Sequence, residues 1–335
     1  MASRIVLGIV IIAMLGASGF FVMNYKLESH YENGKFAYMK ITPRGNSGGP
    51  PPTGTETPAN NNLPPPQPNR STFRIATFNV GGLDEGKLSN ARIGDILSRL
   101  LPRFELVAVQ GLRGKNQGVP VRLVEQINAL SGRQYDFATC PTQQRDGIEH
   151  YSAFIFDKAA LEIDRSTVHF VEEQRRFRHK PLVGSFRARG PKPAEAFTFT
   201  LVAVETDPEK AGVELDLLAD VFRAVRDDGR NEDDIIMLGD FQADDNHLGR
   251  LGKVLGITAA ISDTPSTTRG TRLADNLLFD RRATSEFTGR AEVFDTMREF
   301  ELTMQAAADI SDHLPVWAEF SVFEGGPRGF VPHVQ

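Results

Sequence analysis

Residues 235–244 read IIMLGDFQAD. An apolar run that closes on Gly-Asp is the pattern of a strand buried on both faces, and such strands belong to sheets covered by helices. Asp240 stands where that strand emerges, which is where α/β folds place their chemistry. A lone strand-end Asp is also a common turn former, so it carries little by itself. Residues 311–320, SDHLPVWAEF, invert the arrangement. Asp312 and His313 precede an apolar run in which Trp317 reads as core.

Outward from these two stretches the chain alternates. Strands are expected at 73–80 (FRIATFNV), 105–110 (ELVAVQ), 135–139, 151–156, 168–171, 182–188, 197–205, 276–279 and 316–322. Helical stripes run over 88–101, 121–130 and 212–226. Short apolar runs alternating with helices predict a mixed sheet layered with helices. The strand ends carry Asn79, Gln110, Glu205 and Asp240, joined by Asp275, Asp312 and His313.

The first 70 residues differ. Residues 5–23 (IVLGIVIIAMLGASGFFVM) form an apolar run long enough to span a bilayer, with residues 1–4 before it. The run exceeds the apolar region of a typical cleaved signal, and Arg4 ahead of it orients the following chain outside the cytoplasm. A membrane-anchored, single-pass arrangement is expected, with secretion after cleavage near Ala17-Ser18-Gly19 as the alternative. Residues 24–42 form a juxtamembrane segment, in which 31–42 allow a hairpin around Asn33-Gly34. Residues 43–70 are rich in Pro, Gly, Asn, Thr and Ser and read as a disordered linker.

The 335 residues are 40% hydrophobic and 24% charged, which excludes collagen-like, wholly disordered and multi-span membrane chains. Cys140 is the single cysteine, so no intramolecular disulfide framework and no thiolate zinc cluster exist. Residues 1–70 hold six Lys/Arg against three acids, leaving 32 against 40 in 71–335. A domain at −8 is a poor sequence-independent binder of nucleic acid without a cation or a local basic patch. The one dense basic run, Arg175 to Lys180, reads as a solvated loop, with a phosphate-facing patch as the alternative. Glu232-Asp233-Asp234 reads as an exposed turn, with cation binding as the alternative. His150, His169 and His179 show no metal-ligand spacing.

In order along the chain, TFNVGG (77–82), AVQG (108–111), IEHYSAFIF (148–156), FRHKPLVGSFRA (177–188), LVAVET (201–206), IIMLGDFQAD (235–244), ADNLLFD (274–280) and SDHLPVWAEF (311–320) resemble the endonuclease/exonuclease/phosphatase family, the deoxyribonuclease-I-like metal-dependent phosphodiesterases. The resemblance covers the domain expected at 71–325, before a tail at 326–335. It implies a four-layer α/β sandwich, two packed mixed β-sheets flanked by helices. It also implies Mg²⁺ or Mn²⁺ as cofactor, and DNA or another phosphodiester or phosphorylated ligand as partner.

Carried onto this sequence, the resemblance makes Asp240 the residue that activates water. His313 becomes a donor to the phosphate and Asp275 its buttress. Glu149 matches the acid that orients a second His, and Asn79 the first-strand Asn. Asp312, Asn79 and Glu149 become metal ligands. Three positions depart from the family pattern. Gly111 replaces the metal-binding Glu, Glu205 the second His, and Gln242 the Asn of the GDFN motif. Gly111 has no side chain, and Gln242 is one methylene too long. If Glu149 and Glu205 touch, one carboxylate should have a raised pKa. The expectation is a family domain whose hydrolysis is weakened or lost. An active nuclease or phosphodiesterase with a rearranged site, in which Glu205 serves as a protonated acid in place of the His or as a substitute metal ligand, and an envelope-associated binding or structural module, stay open as alternatives.

Overall fold

The computed structural model describes residues 25–32, 35–43, 70–114, 117–140, 143–145, 148–171 and 176–326. The apolar run at 5–23, nearly all of the linker and the tail lie outside the described residues. Among the described residues no helix is long and apolar enough to cross a membrane. Two antiparallel strands, β1 (Tyr25–Glu32) and β2 (Lys35–Pro43), form a unit of their own. They flank Asn33 and Gly34, and the first arm begins earlier than the expected hairpin.

The domain alternates as the apolar runs require. Its elements are β3 (Thr72–Leu83), α1 (Glu85–Leu88), α2 (Ala91–Leu100), β4 (Leu106–Gly114), α3 (Gly118–Ser131), β5 (Tyr135–Ala138), β6 (Gln143–Arg145), β7 (Ile148–Asp157) and β8 (Leu161–Phe170). There follow β9 (Leu182–Ala188), β10 (Thr198–Glu205), α4 (Ala211–Arg226), β11 (Ile235–Asp240), β12 (Ile257–Ala259), β13 (Asp275–Asp280), β14 (Phe287–Val293), α5 (Thr296–Glu299), α6 (Met304–Ile310) and β15 (Val316–Ser321).

One sheet runs β14-β15-β3-β4-β7-β5, with β6 also on β7; the other runs β12-β13-β11-β10-β9-β8. Each strand feeds two cores because its side chains alternate between faces. Phe73 and Ile75 of β3 and Leu106 of β4 meet Phe199, Leu201, Ile236 and Leu238 between the sheets. Ala76, Phe78 and Val107 face the other way, onto Ile96, Leu97, Leu123 and Ile127 of α2 and α3. Val202, Val204 and Met237 pack under Leu215, Leu218 and Phe222 of α4. The four-layer sandwich is therefore the observed fold. The parallel pairs β3–β4 and β10–β11 carry Asn79, Gln110, Glu205 and Asp240 at their ends.

Several elements differ from expectation. The helix expected over 88–101 is two helices, because the Asn90 side chain accepts from Arg92 and Ile93 N–H groups and starts α2 anew. β8 begins at Leu161 rather than near 168, and β14 was not anticipated. Both lie at sheet edges with mostly exposed or half-buried residues, so neither shows clean alternation.

The rings of Phe73, Phe186 and Phe197 each stack on Phe199 between the sheets, with centroids 4.9–5.8 Å away. Truncation there leaves a cavity facing both layers. Phe199→Ala is expected to cost about 3–5 kcal/mol, read as a lower denaturant midpoint at unchanged m-value.

Candidate active site

β11 approaches β10 closely enough to set Asp240 beside Glu205 because residue 239 is glycine. Gly239 has φ +148°, and a Cβ there would lie 2.0 Å from the Val204 carbonyl oxygen. Asp240 is buried. Its Oδ2 accepts from Asn79 Nδ2 at 3.1 Å and from Gln242 Nε2 at 2.7 Å, and its Oδ1 from the Gln242 N–H at 3.0 Å. Burial, followed by the neighbouring Asp275 charge, pushes this carboxyl up to about 7.

His313 precedes β15 on the opposite sheet. Its Nδ1 lies 2.8 Å from Asp275 Oδ2, and its Nε2 lies 3.6 Å from Asp240 Oδ2. Ser266 Oγ donates to Asp275 Oδ2 at 2.7 Å and accepts from the Asp275 N–H at 2.9 Å. Ser311 Oγ donates to the Asn79 carbonyl at 2.6 Å and accepts from the His313 N–H at 3.0 Å. Burial disfavours the imidazolium, but the Asp275, Asp240 and Asp312 carboxylates together outweigh it and raise His313 to about 9. At neutral pH the ring is a cation with two donors.

Gly111 occupies a tight corner. Its φ is +73°, and a Cβ would meet Asn79 Oδ1 at 2.6 Å. The backbone therefore could not take a glutamate at 111 without displacing Asn79. The Gly111 N–H instead donates to Glu205 Oε2 at 3.2 Å. A carboxylate thus stands over Gly111, supplied by β10 rather than β4. Burial pushes Glu205 up to about 6, and the Gly111 N–H, His313, Arg113 and Arg178 oppose that shift. Glu205 is mainly ionised at pH 7.

The other expected residues divide. Asp312 is exposed, with Oδ1 3.8 Å from His313 Nε2. Glu149 stands on β7 opposite Gly114 and acts on Tyr151, so burial rather than a shared pair of carboxylates raises Glu205. Asp312 and Glu149 belong to no set of three acidic or His ligands within 4.8 Å of one another among the described residues; Asp240, Asp275 and His313 form such a set. Asp275 Oδ1 is buried without a hydrogen-bond partner. As a cation His313 has no lone pair for a metal, so the oxygens left to a hard divalent cation are those of Glu205, Asp312 and Asn79 around Gly81 and Gly111. Gln242 holds φ +51° and leaves Oε1 buried without a partner.

Residues left without a role in the sequence complete the surroundings. His179 Nδ1 lies 3.7 Å from Glu205 Oε2, so the basic loop reaches the site. Buried Glu214 holds that loop, accepting from the Arg178 and Asp207 N–H groups at 2.8 and 2.9 Å. A glutamate on the apolar stripe of α4 was a readable signal for this role. Ser266 had none, being one of several hydroxyls in a polar loop.

An α/β sandwich whose two sheets meet in an Asn–Asp–His–Asp cluster is the architecture of a phosphodiesterase-like domain. A deoxyribonuclease-1-like 1 from Cricetulus griseus is 30% identical over 74% of this chain and 84% of its own length. Deoxyribonuclease-1-like 2 from Homo sapiens is 28% identical over 73% of this chain and 91% of its own. A humanised TDP2 from D. rerio shares the fold with a TM-score of 0.52 at 16% identity, over 75% of this chain and 99% of that one. No family model matches the sequence. The chain belongs to the endonuclease/exonuclease/phosphatase family, among its deoxyribonuclease-I-like members.

Gly111→Ala should lower stability by about 1–3 kcal/mol through strain at positive φ and contact with Asn79, measured by denaturant unfolding. Folding raises His313 from 6.5 to about 9, so its contribution is complete below 6.5 and lost as pH rises through 9. The Tm difference between the wild-type chain and His313→Gln, measured with chelator, should therefore shrink across that interval.

Proposed function

We propose that the domain hydrolyses phosphodiesters, DNA among them, at a rearranged metal-dependent site. The observation that carries this reading is the assembled Asn79–Asp240–His313–Asp275 chain, with Glu205 seated on the Gly111 N–H. Asp240, raised toward neutrality, takes the proton of the attacking water. Asn79 and Gln242 fix its orientation. The His313 imidazolium, held by Asp275, donates to the phosphoryl oxygens where negative charge develops. Glu205, Asp312 and Asn79 surround the Gly81–Gly111 corner and would hold Mg²⁺ or Mn²⁺, with Glu205 in the part that Gly111 cannot play. Such a cation supplies Lewis-acid charge to the phosphoryl and leaving oxygens. Arg113 and Arg178 add positive charge around Glu205 in a domain that is acidic overall. The relatives' name, deoxyribonuclease, supports DNA as substrate.

The reading extends to place. Residues 5–23 anchor the chain in a membrane as a single pass, and the domain works outside the cytoplasm. The apolar run and its charge flanks support this.

A second reading, weakened or lost hydrolysis, is favoured by Gln242. Its amide covers Asp240 Oδ2 at 2.7 Å from a left-handed backbone that suits Asn better. A misplacement of about 1 Å costs on the order of 100-fold in rate.

Plasmid nicking by the full chain in detergent, with Mg²⁺ or Mn²⁺, separates the two. The proposal predicts turnover that falls roughly 10²–10⁴-fold in Asp240→Asn. It also predicts a bell-shaped pH dependence, rising as Asp240 loses its proton near 7 and falling as His313 loses its own near 9. Turnover appearing only in Gln242→Asn would establish the second reading. Silence in both would leave a binding module.

A further inference from the structure

Asp234 is buried, not exposed as its acidic neighbours suggested. It enters β11 at the end opposite Asp240. Glu286 precedes β14 and Glu324 follows β15, so both also lie at the strand ends remote from His313. Along a six-residue strand that separation is about 20 Å. Asp234, Glu286 and Glu324 each offer a carboxylate oxygen, and these lie within 4.8 Å of one another.

Two observations distinguish this cluster from ordinary surface acidity. Asp234 and Glu286 are 2% and 1% exposed. Asp234 Oδ1 and Glu286 Oε2 are buried with no hydrogen-bond partner. The opposite carboxylate oxygen of Glu286 is held by the Gly325 N–H at 2.6 Å, and Glu324 Oε2 accepts from the Thr198 N–H at 3.2 Å. These bonds fix the carboxylates facing one another but add no cation. An unpaired buried polar atom is destabilising, and more so when it is charged. One divalent cation would satisfy both orphaned oxygens and cancel the repulsion.

We propose that Asp234, Glu286 and Glu324 form a second metal site, separate from the active site, that takes a hard divalent cation of the calcium type. The donors are all oxygen, with no His or Cys, which disfavours zinc. Several protein carboxylates, one of them exposed to solvent, suit Ca²⁺, whereas Mg²⁺ keeps its waters and is seldom held by an all-protein cage. The site clamps the start of β11 to the segment that follows β15, across the two sheets.

Calcium titration of the full chain in detergent tests this, with Glu205→Gln plus Asp312→Asn as the background that removes the carboxylates expected to hold an active-site cation. Ca²⁺ should bind that protein and raise its Tm by several degrees. Adding Asp234→Asn with Glu286→Gln should abolish the shift. Glu324→Gln, an exposed change that leaves the core untouched, should weaken Ca²⁺ binding at least tenfold. An absent response in the Glu205→Gln, Asp312→Asn background, or an equal one in both sets of variants, would overturn the proposal. Neither outcome depends on whether the domain hydrolyses DNA.

Discussion

The hydrogen bond from Asn79 Nδ2 to Asp240 Oδ2, 3.1 Å long, joins β3, where its regular pairing with β4 stops, to the end of a central strand in the other sheet. His313 and Asp275 make a second junction of the same kind, 2.8 Å long. Two sheets packed through apolar side chains have no intrinsic preference for a unique sliding position. These buried polar junctions supply one, since any displacement strands a carboxylate without its partner. The active centre and the register between the sheets are thus set by the same few bonds.

That coupling explains why the departures from the family pattern do not dismantle the site. Gly111 removes a carboxylate, but its N–H and its left-handed backbone are what receive Glu205. Gln242 still donates to Asp240 through both its backbone and its amide. Charge is conserved around Asn79 while its strand of origin changes from β4 to β10. The chemistry of the cluster is therefore better judged by which oxygens converge than by which sequence position carries them.

Much of the fold was legible in the sequence because central strands are apolar on both faces and end in polar residues. Residues 182–188 and 235–240 were visible for that reason, and the family resemblance supplied the layers. The first part of the edge strand β8 and all of β14 were not, since half-exposed edges lack a pattern. Within the site, Asp240, His313, Asp275 and Asn79 come from separate motifs and lie against one another. Glu205 could be read as a substitute metal ligand, but its seat on the Gly111 N–H could not, because a contact between residues 94 apart depends on a positive φ that only the folded backbone reveals. Asp234 was misjudged because it follows two more exposed acids, and burial at a strand entrance leaves no mark in local composition.

The central claim is that Glu205 replaces the carboxylate absent at 111. Calorimetric titration of Mn²⁺ into the full chain and into Glu205→Gln, a change of charge at nearly constant shape, tests it most directly. The replacement predicts binding to the wild-type chain that weakens at least tenfold in the variant. Equal affinity in the two proteins would contradict it.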